Sequence, residues 1–345
     1  MRGSIGLGAG LAALLVACGK DAAGPSGGAD PCDVLGFTGQ ANAQFSATGA
    51  FTVSPIASSA ISFIIPLGNL NPPNHVYPTD HMYIIPTNTA SGANPVLAAT
   101  GGTVKTLYKP AGTDSKVIVQ VDKSFYYYYD HITPVAGLAE GNQVSAGQTL
   151  GSNSGLAAAI DFGVLNFNNQ PLAGILNACA AQGQKYADSP LKYYSGATQQ
   201  TLYGKVTVSG GATKDGKIDY DESGKLVGNW VLSGSNPLSS PDKGLAFAYN
   251  VLNHGLRISM GSSLSGGGAF AVQAGAADFN TVTQATGQVN YRLYPTGSGD
   301  SAPPGAEYGV LAVQVMSATR IKVQLFVGNL TGSGTFDSNA LTYDR

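Results

Sequence analysis

Charge is what this chain of 345 residues has least of. Asp, Glu, Lys and Arg together make up 11% of it, well under the roughly 25% of an ordinary soluble domain. The formal net charge is −2. With no basic stripe to neutralise phosphates, nucleic acid is excluded as a partner, and no polybasic patch offers itself to anionic lipid. Histidine is scarce at four residues, cysteine at three and tryptophan at one. Longer motifs are missing too. There is no GxSxG nucleophile turn, no phosphate-cradling P-loop and no dinucleotide fingerprint with its following acidic residue. No internal repeat stands out. What fills the space is glycine, with 47 residues, alongside 17 tyrosines. Aromatics at 9% argue against disorder. Gly, Ser, Thr and Tyr between short apolar runs point to a β-rich, turn-rich chain of two domains.

The N-terminus carries its own signal. Arg2 precedes a small-residue apolar run from Ile5 to Val16, too short for a spanning helix and shaped like the apolar region of a signal peptide. It ends Leu15-Val16-Ala17-Cys18, which resembles the lipobox of bacterial lipoproteins. That resemblance implies a signal peptide over residues 1–17, cleavage before Cys18, and a lipid on Cys18 that anchors the chain to a membrane. An ordinary secretory signal with an incidental cysteine is the alternative. Gly19 after the cysteine implies the outer membrane if the cell is Gram-negative. Residues 18–35 then read as the lipidated cysteine and a flexible Gly/Ala/Ser/Pro tether. Cys32 and Cys179 remain as a candidate disulfide in an oxidising compartment, two free thiols being the other reading.

Strand signals begin at Phe37. AQFSATGAFTV and AISFIIP alternate between turn residues. NPVLAATGGTVKTLYK reads as two strands around Gly101-Gly102. KVIVQVD sets Val117, Val119 and Val121 on one face, with Ile118 on the other. SFYYYYDHI is a strand whose tyrosines read as sheet surface rather than a sugar platform. EGNQVSAGQTLGSNSG is a turn-rich hairpin, and AAIDFGVLNF closes the region as a buried strand. One helix candidate, ILNACAAQGQKYA, lies near Cys179. The stretch LNPPNHVYPTDH, with Pro72, Pro73 and Pro78, predicts a rigid loop at a sheet edge.

Three of the four histidines fall between positions 75 and 131. PVLAATGGTV, then Tyr129-Asp130-His131-Ile132, then GNQVSAGQTLG and IDFGV, in that order, resemble the lysostaphin/LytM-type zinc metallopeptidases of cell-wall hydrolysis. The likeness spans roughly residues 60–170. It implies an antiparallel β domain over residues 36–184 and a zinc site of three protein ligands. The family's HxxxD is altered here: His75 and Asp80 stand one residue too far apart, and His81 follows directly. Its HxH is replaced by Ala159-Ile160-Asp161. The resemblance therefore implies His75, His81 and Asp161 as metal ligands, Asp80 as an orienting or alternative ligand, and His131 as the remaining catalytic side chain. Ala159 stands where a catalytic histidine would be, and alanine can neither take nor give a proton. Residue by residue, blander readings stay open: His75 as an exposed loop residue, Asp80 as a turn cap, His131 as a packed strand-end histidine. Asp161 is the most pointed, because an aspartate between Ile160 and Phe162 must face something that satisfies its charge.

Residues 185–345 read as a second antiparallel β domain, a sandwich or barrel, from eight runs: TLYGKVTV, KLVGNWVL, LAFAYNVL, LRISMG, GAFAVQ, QVNYRLY, YGVLAVQVM and RIKVQLFVG. GKLVGNW around Trp230 faintly resembles the GxW strand of lipocalin-like barrels. DGKIDYDESG reads as a solvated acidic turn without calcium-loop spacing, and His254 as structural or exposed. The sequence thus points to an exported all-β lipoprotein that binds or processes a cell-wall or extracellular polymer. A non-catalytic scaffold, or a small-ligand carrier built on the second domain, is the alternative. Replacing Cys18 with Ser is expected to move the protein from the membrane to the soluble fraction; mass spectrometry showing no acyl group on wild-type Cys18 would count against the anchor.

Overall fold

The computed structural model describes residues 39–72, 75–111, 114–172, 185–235, 241–264, 267–296 and 305–345. Cys18, Cys32, Cys179 and most of the ILNACAAQGQKYA helix candidate lie outside the described residues. The chain is mostly β: an antiparallel sheet followed by an eight-stranded antiparallel barrel.

The sheet is built from β1 (Ile61–Ile65), β2 (His81–Pro86), β3 (Pro95–Leu97), β4 (Gly102–Ala111), β5 (Asp114–Asp122), β6 (Phe125–Pro134), β7 (Gln143–Val144), β8 (Thr149–Asn153), β9 (Ile160–Asn166) and β10 (Ala187–Asp188). The main order is β1-β2-β9-β6-β5-β4-β7, with β10 on β9 and the β3–β8 pair branching from the end of β6. Strand β9 lies at the centre, flanked by β6 along one edge and by β2 and then β10 along the other. All seven of its residues are buried. The aligned residues Tyr83, Asp161 and Asp130 share one face of β2, β9 and β6, as do His81, Gly163 and Tyr128, because side chains alternate with a period of two. The opposite face carries Met82, Phe162 and Tyr129 into an apolar core centred on Phe51. Phe51 meets Phe125, Tyr127, Phe162 and Tyr194 at ring distances of 5.2–5.7 Å.

The tyrosine run is not sheet surface, as its sequence suggested. Tyr126 to Tyr129 are each at most 1% exposed. Strand β6 is covered on both faces, and each large side chain so buried contributes about 1.5–3 kcal/mol. Tyr127 resolves its polar end by donating to the Thr100 carbonyl at 2.9 Å.

Beyond the sheet, residues 201–208 do not form the expected strand. Gly196–Gly204 is a helix, α1, whose Leu202 is fully buried in the sheet's core cluster with Leu191, Val206 and Ile218. The barrel comprises β11 (Gly228–Leu232), β12 (Gly244–Tyr249), β13 (Leu256–Met260), β14 (Gly268–Val272), β15 (Gln288–Pro295), β16 (Gly309–Ser317), β17 (Arg320–Val327) and β18 (Leu341–Asp344). Each strand pairs with the next, and β18 returns to β11 through Val231↔Asp344 and Leu232↔Tyr343. Closure removes free strand edges. Its core holds Trp230, Phe247, Tyr291, Leu311, Val323 and Tyr343, all fully buried. Small barrels of this strand number fill with side chains in this way. The acidic turn is only partly solvated: the Asp221 side chain is 4% exposed beside Arg345 at 3.5 Å, and burial raises its pKa to about 7.

The proline-rich loop, expected to be rigid, is tied down at several of its described residues. It doubles back as a hairpin, Asn71 and His75 exchanging backbone hydrogen bonds of 2.9 and 3.1 Å. Leu70 is buried in the barrel's cluster, and the Tyr77 hydroxyl donates to the Trp230 carbonyl at 3.1 Å.

Gly163 is the tightest point of the sheet's charged face, since a Cβ there would sit 2.1 Å from the Tyr128 ring. Neither the ring nor the central strand can yield cheaply. Gly163→Ala is expected to cost about 1–3 kcal/mol, read as a fall in unfolding temperature. An unchanged midpoint would mean that Tyr128 swings away freely.

Candidate functional site

The charged face of β2, β9 and β6 gathers most of the side chains singled out in the sequence. His81 opens β2, and its register opposite Gly163 sets its ring next to Asp161. Nδ1 of His81 lies 3.0 Å from Asp80 Oδ1, and Nε2 lies 3.1 Å from Asp161 Oδ2. The same Asp161 oxygen is 3.6 Å from Nε2 of His131, whose Nδ1 is 2.9 Å from Asp114 Oδ2. Two imidazoles, each tied at Nδ1 to its own carboxylate, therefore converge through Nε2 on one aspartate.

His131 gets there by breaking the alternation of its strand. Between Tyr129, opposite Val117, and Ile132, opposite Ser115, strand β6 carries one residue more than β5. This is a β-bulge, and His131 adopts φ 63° within it, the left-handed conformation that bulges use. Regular alternation would have sent His131 to the side of Tyr129, away from Asp130. The bulge turns it onto the charged face instead. The strain of a left-handed non-glycine residue is the kind found at functional positions.

Lys116 completes the cluster. Its Nζ is 3.3 Å from Asp130 Oδ2 and 4.7 Å from the centre of the Tyr128 ring. Burial opposes its charge, but Asp130, Asp80 and Asp161 outweigh burial and raise its pKa. Burial also opposes charge on His81, and there Asp161 and Asp80 outweigh it, so its pKa is raised. Asp80 is held below the usual carboxylate range, because its hydrogen bond to His81 and the charges of His81 and Lys116 overcome burial. His75 behaves oppositely. Burial first, and then the neighbouring His81 charge, push its pKa down to about 3. Its ring packs edge-on against His81 at 5.4 Å. Burial and the nearby carboxylates raise Tyr83 and Tyr128 well above the ordinary phenol value.

Among the described residues no group of three His, Cys, Asp or Glu side chains is placed to hold a metal ion; Asp161 contacts the imidazoles directly. The donor chemistry nonetheless suits a cation. Carboxylates behind both Nδ1 atoms are the arrangement that orients zinc-bound histidines. Asp161 Oδ1 is buried without a hydrogen bond among the described residues, so it keeps acceptor capacity.

His75, Asp80, His81, His131 and Asp161 are thus brought together. Sequence reasoning missed Asp114, Lys116 and Asp130, which only the β5–β6 register places here. Ala159 is buried under Val251 of the β12–β13 turn, beside Ile65 and Tyr83.

A scan against protein-family models finds no match, and neither does a search of curated proteins. Solved structures similar to parts of this chain at low identity include M23- and LytM-type peptidase domains. Helicobacter pylori Csd3 is 22% identical over 35% of this chain and 33% of its own, with a TM-score of 0.28. A zinc-containing peptidase from Vibrio cholerae is 19% identical over 35% of this chain and 38% of its own, at 0.29. The catalytic domain of prophage-encoded EnpA from Enterococcus faecalis is 18% identical over 35% of this chain and 88% of its own, at 0.26. The chain spans about a third of the length of Csd3.

The charge arrangement fixes a pH signature. The raised His81 pKa means that the folded state holds this proton more tightly than the unfolded chain. Its stabilisation is complete below the ordinary histidine value of 6.5 and is lost as pH rises through the folded value. The Asp80 contribution is complete above 3.8 and is lost as pH falls through its depressed value. In chelator-treated protein, NMR should find His81 titrating above 6.5, and Asp80→Asn should lower that midpoint. A wild-type midpoint below the free-histidine value would contradict the pairing.

Proposed function

We propose that this is an extracytoplasmic protein, lipid-anchored through Cys18, whose sheet binds or processes a cell-wall or extracellular polymer at the His81–Asp161–His131 cluster. One observation carries the reading: two imidazoles backed by separate carboxylates direct their Nε2 atoms at one buried aspartate oxygen. In this reading zinc would be held by His81, His131 and Asp161, with Asp80 and Asp114 fixing the rings. Bound zinc would supply an acidified water at neutral pH. The roles expected for His75 and His131 are thereby exchanged. His75, kept neutral beside the cluster, offers a ring nitrogen that would accept a hydrogen bond and orient a water or substrate group without holding a proton. Lys116 supplies a fixed positive charge on the same face, suited to a developing oxyanion or a substrate carboxylate. The order of motifs from PVLAATGGTV to IDFGV supports a polymer of the cell wall as the ligand.

A second reading has its own support. Ala159, in place of a proton-carrying side chain, is buried beneath Val251. That packing favours a domain that binds without cleaving, a scaffold rather than a hydrolase.

Metal content of the purified chain from residue 19 onward separates the two. About one zinc per chain, lost in His81→Ala, His131→Ala and Asp161→Ala but kept in His75→Ala, is the expected result. Release of fragments from peptidoglycan sacculi should then fall in His75→Ala without loss of metal. Folded wild-type protein that takes up no zinc would overturn the metal-dependent reading and leave the scaffold.

A further inference from the structure

One end of the barrel carries a cleft far from any use in the chemistry above. It has a volume of about 180 Å³, well below the roughly 300–1,000 Å³ of pockets for drug-sized ligands. At about 30 Å³ per water it has room for some six waters, the scale of a single sugar ring.

Its construction is amphipathic. The floor is aromatic and apolar: Tyr220 and Tyr249, both buried, meet at 5.3 Å with rings tilted by 49°. His254 lies flat on Tyr249, at 4.4 Å and 5° between planes. His254 is itself exposed and lines the cleft, with its ring stacked on Tyr249. The rim is polar and of mixed sign, with Lys217, Glu222 and Asn280 all exposed. A flat π-face beneath, with ammonium, carboxylate and amide groups around the edge, matches neither a simple ion nor a wholly apolar ligand. It matches a neutral ring with C–H groups on its faces and hydroxyls around its circumference.

The backbone is shaped to hold the platform. His254 sits at φ 58°, uncommon for a residue with a side chain. The turn around it is fixed from both sides: Asn250 Oδ1 accepts from the Leu252 and Asn253 amides at 2.8 and 2.9 Å, and Asn253 Oδ1 accepts from Gly255 at 3.0 Å. The Tyr249 hydroxyl is held by Asp278. Val251 and Leu252 of the same turn pack against the sheet beside Ala159.

We propose that this cleft is a carbohydrate-binding subsite that takes one pyranose ring, its apolar face on the His254–Tyr249 stack and its hydroxyls met by Lys217, Glu222 and Asn280. The subsite goes beyond the polymer reading above, because it needs neither metal nor catalysis and stands on the barrel rather than the sheet. It would give the protein a grip on a glycan separate from the charged cluster.

The test uses saturation-transfer NMR and calorimetry on the whole chain, with chitotetraose and maltotetraose as probes. His254→Gly is the decisive variant, since glycine adopts positive φ freely and removes the ring without straining the turn. Binding of at least one probe by wild type, weakened about tenfold in His254→Gly by loss of the stacking face, is expected. Asn280→Ala, at the exposed rim, should weaken the same probe and decides the matter if the glycine variant proves unfolded. Zinc content should not change in either variant, which keeps this result independent of the metal reading. No saturation transfer from either probe at millimolar concentration, or equal binding by wild type and both variants, overturns the subsite.

Discussion

Asp161 is a carboxylate near the middle of a sheet, with its side chain 4% exposed. A buried charge of that kind is tolerated only when it is paired and its oxygens are answered. Much of the surrounding architecture can be read as the answer. Strand β2 enters with His81 in register beside Asp161, and Asp80 steadies the far side of the same ring. The β6 bulge turns His131 inward, and Asp114 holds that ring in turn. Lys116 sits over Tyr128 and balances Asp130. Removing His81 would leave the buried Asp161 carboxylate with only the longer contact to His131, which is more costly than never having built the pair.

The same constraint explains why the proline-rich loop is pinned so firmly. Asp80 must meet His81 from a segment with few apolar side chains of its own. Leu70 and Tyr77 reach into the barrel, while the Asn71–His75 bridge closes the hairpin. The barrel's β12–β13 turn returns the contact through Val251 onto Tyr83 and Ala159. Sheet and barrel thus meet around the loop and strands that carry the charged cluster.

Much of this was legible in the sequence. Most of the short alternating runs gave strands, but AQFSATGAFTV forms turns and irregular backbone. EGNQVSAGQTLGSNSG is no hairpin, since β7 pairs with β4 and β8 with β3 and β6. The lone aspartate in IDFGV marked the centre of the cluster. His131 was recognisable as a candidate but not its orientation, because a bulge has no signature in a period-two pattern. Asp114, Lys116 and Asp130 were hidden for a related reason: their meeting depends on strand register, which the sequence of one strand does not contain. The second half shows how tertiary contacts override local pattern. TLYGKVTV alternates like a strand, yet Leu202 packs onto the sheet from helix α1. The eighth barrel strand is instead LTYD, too short and polar to register as a strand until Tyr343 closes the barrel against β11.

Trp230 is the only tryptophan in the chain. It is fully buried, donates to the Leu226 carbonyl at 2.9 Å and lies 3.8 Å beneath the Arg345 guanidinium. Its own carbonyl is the acceptor for Tyr77. Nature has therefore placed a single fluorophore where the barrel meets the histidine-bearing loop. The colour and lifetime of its emission report on that junction alone, while the tyrosine signal comes from the rest of the molecule. An optical probe usually has to be engineered into such a position; here it is native.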